Sequence, residues 1–303
     1  MFVEKNEVLV SIVIPTYNRS ELIKRTINSV LAQTYTNFEL IIVDDASTDN
    51  TEEIVNEYHD DRIKFIKLNG NSKGTKPRNV GIKESKGEYI ALLDSDDEWL
   101  PNKLENQLNF MRTFNDDSLV CFTDLILKGT KKTVYSNNRA LFEEEDILEY
   151  IFLGKNWVQT STYMFSSKLG KQTLFNPTLK KHQDWDFCLR LKKNGAKFVN
   201  FPEHLAIYYS DDREGRIGNN LKYKQSLEWI NSVSNDISNE VKHAFLVRVM
   251  TKPLIFNKQR NKALSIYLDG KKNGVIGLSA LGKGIIKCFM PLSIYRIIVK
   301  LKG

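Results

Sequence analysis

Carboxylates at the ends of apolar runs are the residues in this chain best placed to do chemistry. "YIALLDSDDEWLP", residues 89–101, breaks a buried-strand pattern with Asp94, Asp96, Asp97 and Glu98. Such a cluster repels itself unless a cation, hydrogen bonds or water offset the charge. "VDDAS" places Asp44 and Asp45 at the end of another apolar run, and "QDWDFCLRL" opens a helical pattern with Asp184 and Asp186. An Asp-x-Asp pair such as Asp94 and Asp96 can hold Mg²⁺ or Mn²⁺ against a ligand's phosphates. Such ions often take only one or two protein carboxylates and complete their shell with water and phosphate oxygens. The same pair also reads as a solvated acidic turn before a helix at Pro101. Asp44 or Asp45 can cap the next helix or accept a hydrogen bond from a base or ribose. Asp184 suits a helix N-terminus through the dipole alone. Two residues apart on a helix, it diverges from Asp186 by roughly 200°, so only one of them can face a substrate. A calcium loop is excluded, because its obligatory sixth-position glycine would be Trp99.

The surrounding elements tell where these groups must sit. "VLVSIVIPTYN" is an apolar, β-branched strand, and "RSELIKRTINSVLAQTY" has helical spacing with Ser20 at the N-cap position. "FELIIVDDAS" is a second buried strand, and a helix capped from Thr48 or Asp49 follows. "RIKFIKLN" alternates as a strand, and "GTKPRNVGIKESKG" leads through a loop into a short helix. This alternation predicts a parallel, twisted sheet with helices on both faces. Ligands in such sheets bind beyond the carboxyl ends of the strands. The acidic ends "VDDAS" and "LDSDDE" and the polar end "IPTYNR" therefore face one crevice. Between residues 105 and 165 the pattern is vaguer, with a helix at 102–114 and a strand near "LVCFTDLIL". A helix over "QDWDFCLRLKKNG" ends at Asn194-Gly195, and "KFVNFPEHLAIYYS" returns to strand. Beyond about residue 219 the chain reads as helical and separate.

"IPTYNRSELIKRTINSVLAQTYTNFELIIVDDASTDNT", then "PRNVGI", "GEYIALLDSDD" and "QDWDFCLRL" closely resemble, in order and spacing, the family 2 glycosyltransferases. The resemblance covers residues 8 to 215 or so. It implies the GT-A fold: an α/β, Rossmann-like, mostly parallel twisted sheet with helices on both faces, here followed by a C-terminal helical extension. The expected division is a catalytic domain over 1–218 and a helical region over 219–303. The resemblance assigns the nucleotide to Pro15, Thr16, Tyr17 and Asn18 and to Asp45, with Asp44 beside it. It adds Lys73 and Arg78 from the basic loop, and Asp94 with Ser95. Asp96 becomes the direct metal ligand for Mn²⁺ or Mg²⁺, and Asp184 the catalytic base. The family's acidic pair before that helix is Gln183-Asp184 here, so its first acid is replaced. The implied reaction is inverting transfer of a hexose, glucose or galactose, from a UDP-sugar. The implied acceptor is a glycan or lipid-pyrophosphate-linked sugar in O-antigen or capsule assembly. Trp185, Arg213 and Arg216 are further candidates for phosphate or acceptor contacts; Trp157 can stack on a sugar or simply pack. His182 and His204 read as polar packing residues.

Two other readings compete. A metal-dependent nucleotidyltransferase would want a glycine-rich phosphate loop, which "IPTYNRSEL" lacks, and no GxxxxGK[ST] occurs. A non-catalytic glycan-binding protein would have no need of Asp94, Asp96 and Asp184 together. Composition narrows the remaining classes. The net charge of +7 is matched by seven cations after Asp269, a stretch with no acidic residue (Lys271, Lys272, Lys283, Lys287, Arg296, Lys300, Lys302). Residues 1–270 are thus formally neutral, which argues against nucleic acid as a partner. In the tail, Leu278, Leu281, Ile285, Ile286 and Phe289 share one helical side, and beyond Pro291 a second apolar set runs from Ile294 to Leu301. An apolar stripe edged by cations suits an anionic membrane surface. Three scattered cysteines without a CxxC pair argue against zinc and fit a reducing compartment. No apolar run is long enough to span a bilayer, and the start lacks a secretory pattern. The expectation is a cytoplasmic, peripheral membrane enzyme.

Overall fold

The computed structural model describes residues 8–72, 75–141, 145–210 and 223–302. They form two compact units: one runs through the described residues up to 141 and again over 156–210, the other takes 145–155 and 223–302.

The first unit is built on one sheet. Strands β1 (Val10–Thr16), β2 (Phe38–Asp44), β3 (Ile63–Lys67) and β4 (Tyr89–Leu92) alternate with helices α1 (Ile23–Leu31), α2 (Thr51–Asn56) and α3 (Lys76–Glu84). These four strands are parallel in the order β3-β2-β1-β4, with Val13 opposite both Ile41 and Leu92. Val10, Ile12, Val13 and Ile14 are fully buried, as a strand covered on both faces requires. Helix α3 lies so close to β1 that a Cβ on Gly81 would come 2.3 Å from a Val13 methyl. Only glycine permits that approach, and it fixes the height of Arg78 one turn earlier.

The remaining strands make the sheet mixed. They are β5 (Glu98–Trp99), β6 (Leu119–Gly129), β7 (Thr133–Tyr135), β8 (Met164–Ser166) and β9 (Lys197–Ser210). The order continues β4-β8-β6-β9-β5, with β8 antiparallel to both neighbours, β9 parallel to β6, and β7 attached to β6. The register between β6 and β9 slips where Thr123 faces Phe201 but Asp124 faces His204. Pro202, which has no N–H to give the ladder, sits inside that slip. Beyond it the far half of β9 also pairs with β5, Ala206 opposite Trp99 and Ile207 opposite Glu98. That bend is what brings β9 to the acidic turn after β4. Helices α4 (Lys103–Arg112), α6 (Ser167–Gln172) and α7 (Gln183–Lys193) complete this unit; α5 (Ile147–Phe152) belongs to the other.

The second unit is helical: α5 with α8 (Lys224–Ser232), α9 (Asn239–Phe245), α10 (Thr251–Phe256), α11 (Arg260–Lys272), α12 (Leu278–Phe289) and α13 (Leu292–Lys302). Asp146 caps α5 through the Leu148 and Glu149 amides, and Arg248 closes its other end on the Ile151 and Phe152 carbonyls. Helix α12 turns Gly284 and Cys288 inward, Gly284 against the Tyr267 ring. Its other side leaves Leu278, Ile286 and Phe289 exposed.

Two sequence-based caps are corrected by the structure. Helix α1 starts at Ile23, and Ser20 gives its amide to Asp49 across the loop instead of capping. Helix α2 starts at Thr51, where Asp49 accepts from the Thr51 amide at 3.1 Å and hydroxyl at 2.5 Å.

One buried charge stands apart from the site. Lys103 is fully buried, its Nζ 3.7 Å from the Trp99 ring centre and without a hydrogen-bond partner among the described residues. Burial pushes its ammonium down to about 7 from an ordinary 10.5. Between those values the unfolded chain binds more protons than the folded one, so stability rises with pH through that window. Lys103→Met keeps the volume without the charge. It should melt at a higher temperature than the parent near pH 6, with the gap narrowing toward pH 10, as followed by calorimetry.

Candidate active site

The polar strand ends are tied to one another. Thr16 O accepts the Asp45 amide at 2.8 Å, extending the β1–β2 pairing past the strands. Asn18, in the left-handed region (φ 48°), gives its backbone N–H to Ser47 Oγ at 2.8 Å and accepts the Thr48 amide on Oδ1 at 2.8 Å. Asp44 is wholly buried and accepts the Ser47 amide and hydroxyl, closing the turn that Ala46 (φ 62°) makes possible. Asp45 receives both the amide and the hydroxyl of Ser72 at 2.8–3.1 Å. Asp44 and Asn18 are thus joints of the loop, while Tyr17 is exposed and Pro15 half-buried. The Thr16 hydroxyl is buried there with no hydrogen-bond partner among the described residues.

The acidic turn after β4 is held from three sides. Ser161 Oγ accepts the Asp94 amide at 3.0 Å and donates to Asp97 Oδ2 at 2.6 Å; Gln159 Nε2 donates to the same oxygen at 3.1 Å. The Tyr209 amide, on β9, donates to Asp97 Oδ1 at 3.3 Å. From α1, Thr26 donates to the Asp97 carbonyl at 2.8 Å and Arg25 to the Asp96 carbonyl at 2.6 Å. Ser95 and Asp97 are buried, Asp94 and Asp96 half-buried. Burial, then the charges of Asp94 and Asp96, push the Asp97 carboxyl well above the ordinary carboxylate range, against the Ser161 and Tyr209 hydrogen bonds. Asp97 serves the turn as its internal post.

Arg78 is the cation of the site. Its Nη2 meets Asp94 Oδ1 at 2.5 Å and its Nη1 meets Gln183 Oε1 at 3.2 Å, with the Phe175 ring centre 5.6 Å away. Burial works against its charge, but Asp94, Asp184 and Asp96 outweigh it and hold the guanidinium more firmly protonated than usual. Asp184, in the first turn of α7, therefore shares a site with the Asp-x-Asp turn. Burial raises the Asp184 carboxyl above its ordinary value; the Arg78 cation pulls it down, Asp94 adds to the rise, and the Thr160 hydroxyl opposes it. Asp186 turns into the protein. Gln183 supplies a neutral oxygen to Arg78 where a carboxylate would have held it by charge. His182, left-handed at φ 62°, stacks on Trp185 at 4.8 Å and 10° between planes, and burial with Lys181 pushes its ring down to about 3. It is a neutral imidazole. Among the described residues, no group of three or more His, Cys, Asp or Glu side chains is placed to hold a metal ion.

The site can be compared with known proteins. The family model for glycosyl transferase family 2 matches residues 11–176, more than half of the chain. This chain belongs to glycosyltransferase family 2. The amylovoran biosynthesis glycosyltransferase AmsB of Erwinia amylovora is 32% identical over 232 residues, which cover 74% of this chain and 77% of that one. An Escherichia coli protein, the UDP-Glc:alpha-D-GlcNAc-diphosphoundecaprenol beta-1,3-glucosyltransferase WfaP, is 50% identical over 105 residues, 35% of this chain and 42% of its own. The crystal structure of S. aureus TarS 1-349 in complex with UDP-GlcNAc superposes with a TM-score of 0.64 at 23% identity, covering 92% of this chain and 81% of that one. The fold is GT-A.

In this family 2 glycosyltransferase, the predicted residues Thr16, Asn18, Asp44 and Asp45 gather at the β1 and β2 ends. Asp94, Asp96, Arg78 and Asp184 gather around the turn after β4. Lys73, Arg213 and Arg216 lie outside the described residues. Sequence reasoning missed the supports. Gln159, Thr160 and Ser161 come from a short polar stretch with no motif. Arg25 sits at an ordinary exposed-face position of α1, and only the fold shows it spanning the turn. Besides Asp96 it lies 3.5 Å from Glu98 and over the Tyr209 ring at 3.6 Å, while the Tyr209 hydroxyl donates to Glu98. A charged hydrogen bond of this kind contributes about 1.5–3 kcal/mol. Arg25→Ala should lower glycosyl-transfer kcat/KM by roughly 10–100-fold, and Arg25→Lys should recover part of the loss. Unchanged turnover in Arg25→Ala would mean that Thr26, Gln159, Ser161 and Tyr209 hold the turn without it.

Proposed function

We propose that this glycosyltransferase moves a hexose, glucose in the first instance, from a UDP-sugar to a lipid-pyrophosphate-linked N-acetylhexosamine during bacterial surface-polysaccharide assembly, with inversion at the anomeric carbon. The observation that carries the chemistry is the convergence on Arg78 of Asp94 at 2.5 Å and of the charges of Asp184 and Asp96. The choice of donor and acceptor rests on the likeness to WfaP, whose name specifies UDP-Glc and a GlcNAc-diphosphoundecaprenol. That likeness spans 35% of this chain.

In this reading the base and ribose lie over Pro15–Asn18 and Asp45, with Tyr17 exposed among them. Lys73 is assigned to the same nucleotide site. The family's motif assigns Asp96, two residues beyond the Asp94 that pairs with Arg78, as the protein's ligand to Mg²⁺ or Mn²⁺. One carboxylate, with the donor's phosphate oxygens and water, is a donor set such hard ions accept. The bound ion would neutralise charge on the departing diphosphate. Asp184 takes the proton of the acceptor hydroxyl as its oxygen bonds to the anomeric carbon and the bond to the diphosphate breaks. The burial that raises the Asp184 carboxyl makes it a stronger base. Arg78 meets Asp94 directly, and its cation opposes the burial that raises the Asp184 carboxyl.

The tail is proposed as the membrane contact. Helices α12 and α13 expose Leu278, Ile286, Phe289, Ile294 and Ile297 beside Lys283, Lys287 and Arg296. Tyr295 and Cys288 turn inward, so both packing and exposure are served by one helix pair. Among the described residues no helix is long and apolar enough to cross a membrane. The enzyme would then work as a peripheral protein at the cytoplasmic face, where lipid-carried acceptors are reached without a span. Each cation near an anionic surface adds about 1 kcal/mol.

Release of UDP from UDP-glucose with Mn²⁺ and a short-alkyl N-acetylglucosaminyl diphosphate tests the chemistry. Asp184→Asn should slow turnover roughly 10²–10⁴-fold while donor binding persists. Asp96→Ala should lose donor binding and turnover together. Full turnover in either variant would remove that residue from its role. Separately, Lys283→Glu with Lys287→Glu should weaken flotation with phosphatidylglycerol vesicles and make no difference with neutral ones. Indifference of the parent chain to anionic vesicles at low salt would dismiss the membrane assignment.

A further inference from the structure

Residues 156–159 lead into the 3-10 turn Thr160–Thr162, with Gln159 extended (φ −133°, ψ 143°), and burial rises and falls at alternate positions. Asn156, Val158 and Thr160 are buried, Gln159 is half-buried, and Trp157 is 47% exposed. In an extended segment alternate side chains share a face, so the Trp157 indole and the Gln159 amide point the same way. Gln159 donates to Asp97 at 3.1 Å. The indole is therefore presented on the side of the acidic turn, about 7 Å along the chain from a residue that touches it.

The backbone beneath the indole is clamped. Trp157 gives its N–H to Asn138 Oδ1 at 2.6 Å and accepts Asn138 Nδ2 on its carbonyl at 2.8 Å. One residue away, Asn156 Oδ1 accepts the Arg139 amide at 3.2 Å. Both backbone polar groups of an exposed tryptophan are thus satisfied by one side chain. The ring is left outward on a fixed base. A large apolar ring held open to water disfavours the unliganded state and has little freedom left to lose on binding.

Its place in the sheet says what it meets. In the order β3-β2-β1-β4-β8, the turn after β4 stands between the β1–β2 ends and β8. Trp157 enters from the β8 side, away from Thr16 and Asp45. The donor's nucleotide occupies the β1–β2 side in the function proposed above, and this inference rests on that reading. We propose that Trp157 is the platform of the acceptor subsite, stacking on the C–H face of the acceptor's pyranose ring while the sugar's hydroxyl edge turns toward Asp184. A pyranose offers one such apolar face, whereas a diphosphate or a uracil edge would call for the polar groups found on the other side. Trp157 is then a binding and specificity residue, with no part in the proton transfer.

The test uses the full chain with UDP-glucose, Mn²⁺ and short-alkyl N-acetylglucosaminyl diphosphate. Trp157→Ala should raise the acceptor KM on the order of 10-fold, the effect of losing one aromatic contact. The donor KM, acceptor-independent donor hydrolysis and melting temperature should stay as in the parent. Trp157→Tyr should recover most of the acceptor KM. An unchanged acceptor KM overturns the proposal, and so does a donor KM that rises as much as the acceptor's. If the parent chain turns over no UDP-sugar on this acceptor, the proposed reaction fails on its own. Equilibrium titration of the same diphosphate, read by tryptophan fluorescence and calorimetry, then decides the platform separately. Equal calorimetric affinity for parent and Trp157→Ala, or no quenching of the parent, overturns it; weakened affinity in Trp157→Ala with recovery in Trp157→Tyr upholds it.

Discussion

The Arg78–Asp94 ion pair is the contact on which the rest of the site depends. A turn that carries Asp94, Asp96 and Asp97 within four residues, next to Asp184, would be strongly self-repelling in a half-buried crevice. A single half-buried guanidinium, 2.5 Å from Asp94 and under the influence of Asp184 and Asp96, makes the arrangement tenable. Removing the cation would leave uncompensated buried charge, the costly side of any buried pair. The cation's position in turn depends on Gly81, since helix α3 could not settle against Val13 with a larger residue there.

Around that pair the acids are differentiated by their surroundings. Asp97 has three donors and is driven toward its neutral form by burial and by its neighbours. Asp44 is spent on its own turn. Asp45 is gripped by Ser72 but stands at the strand end. Asp184 is half-buried and raised, the state suited to a general base. The same side-chain type thus provides a loop joint, an internal post and, in the function proposed for Asp184, a reactive group. The difference lies in which donors reach each one.

The mixed sheet explains how so many donors arrive. A purely parallel sheet ending at β4 would leave the acidic turn open on one side. The antiparallel β8 and the irregular β9 close it, the first feeding in Gln159 and Ser161 and the second the Tyr209 amide. The β6–β9 ladder slips twice there, between Thr123 and Asp124, where Pro202 lies opposite, and again between Asp124 and Leu125. Helical packing is the corresponding device in the second unit, where Gly284 and Cys288 seat α12 while its other side stays apolar and exposed.

Much of the fold and the motif-bearing part of the site were legible in the sequence, because both rest on local regularities. Period-two and 3.6-residue apolar patterns marked β1 to β4 and α1 to α3. The strand ends then followed, and with them Thr16, Asn18, Asp45 and the Asp94–Asp97 turn. The helix of Asp184 was equally plain, and the family motifs tied these pieces into one catalytic scaffold. The short polar stretch at 156–162 and the two-residue strand β5 carry too little periodicity to be read. The caps were misplaced because Ser20 and Asp49 bond across the loop, a choice made by neighbours far along the chain. Composition disclosed the cationic, acid-free tail, but which of its sides packs was settled by where Tyr267 lies. Tertiary structure alone decided that Arg25 spans the acidic turn and that Arg78 reaches both Asp94 and Gln183, 16 and 105 residues away in the chain. Local sequence fixes backbone preference through sterics and burial pattern. Long-range electrostatic partners are chosen by proximity, which exists only once the chain has folded.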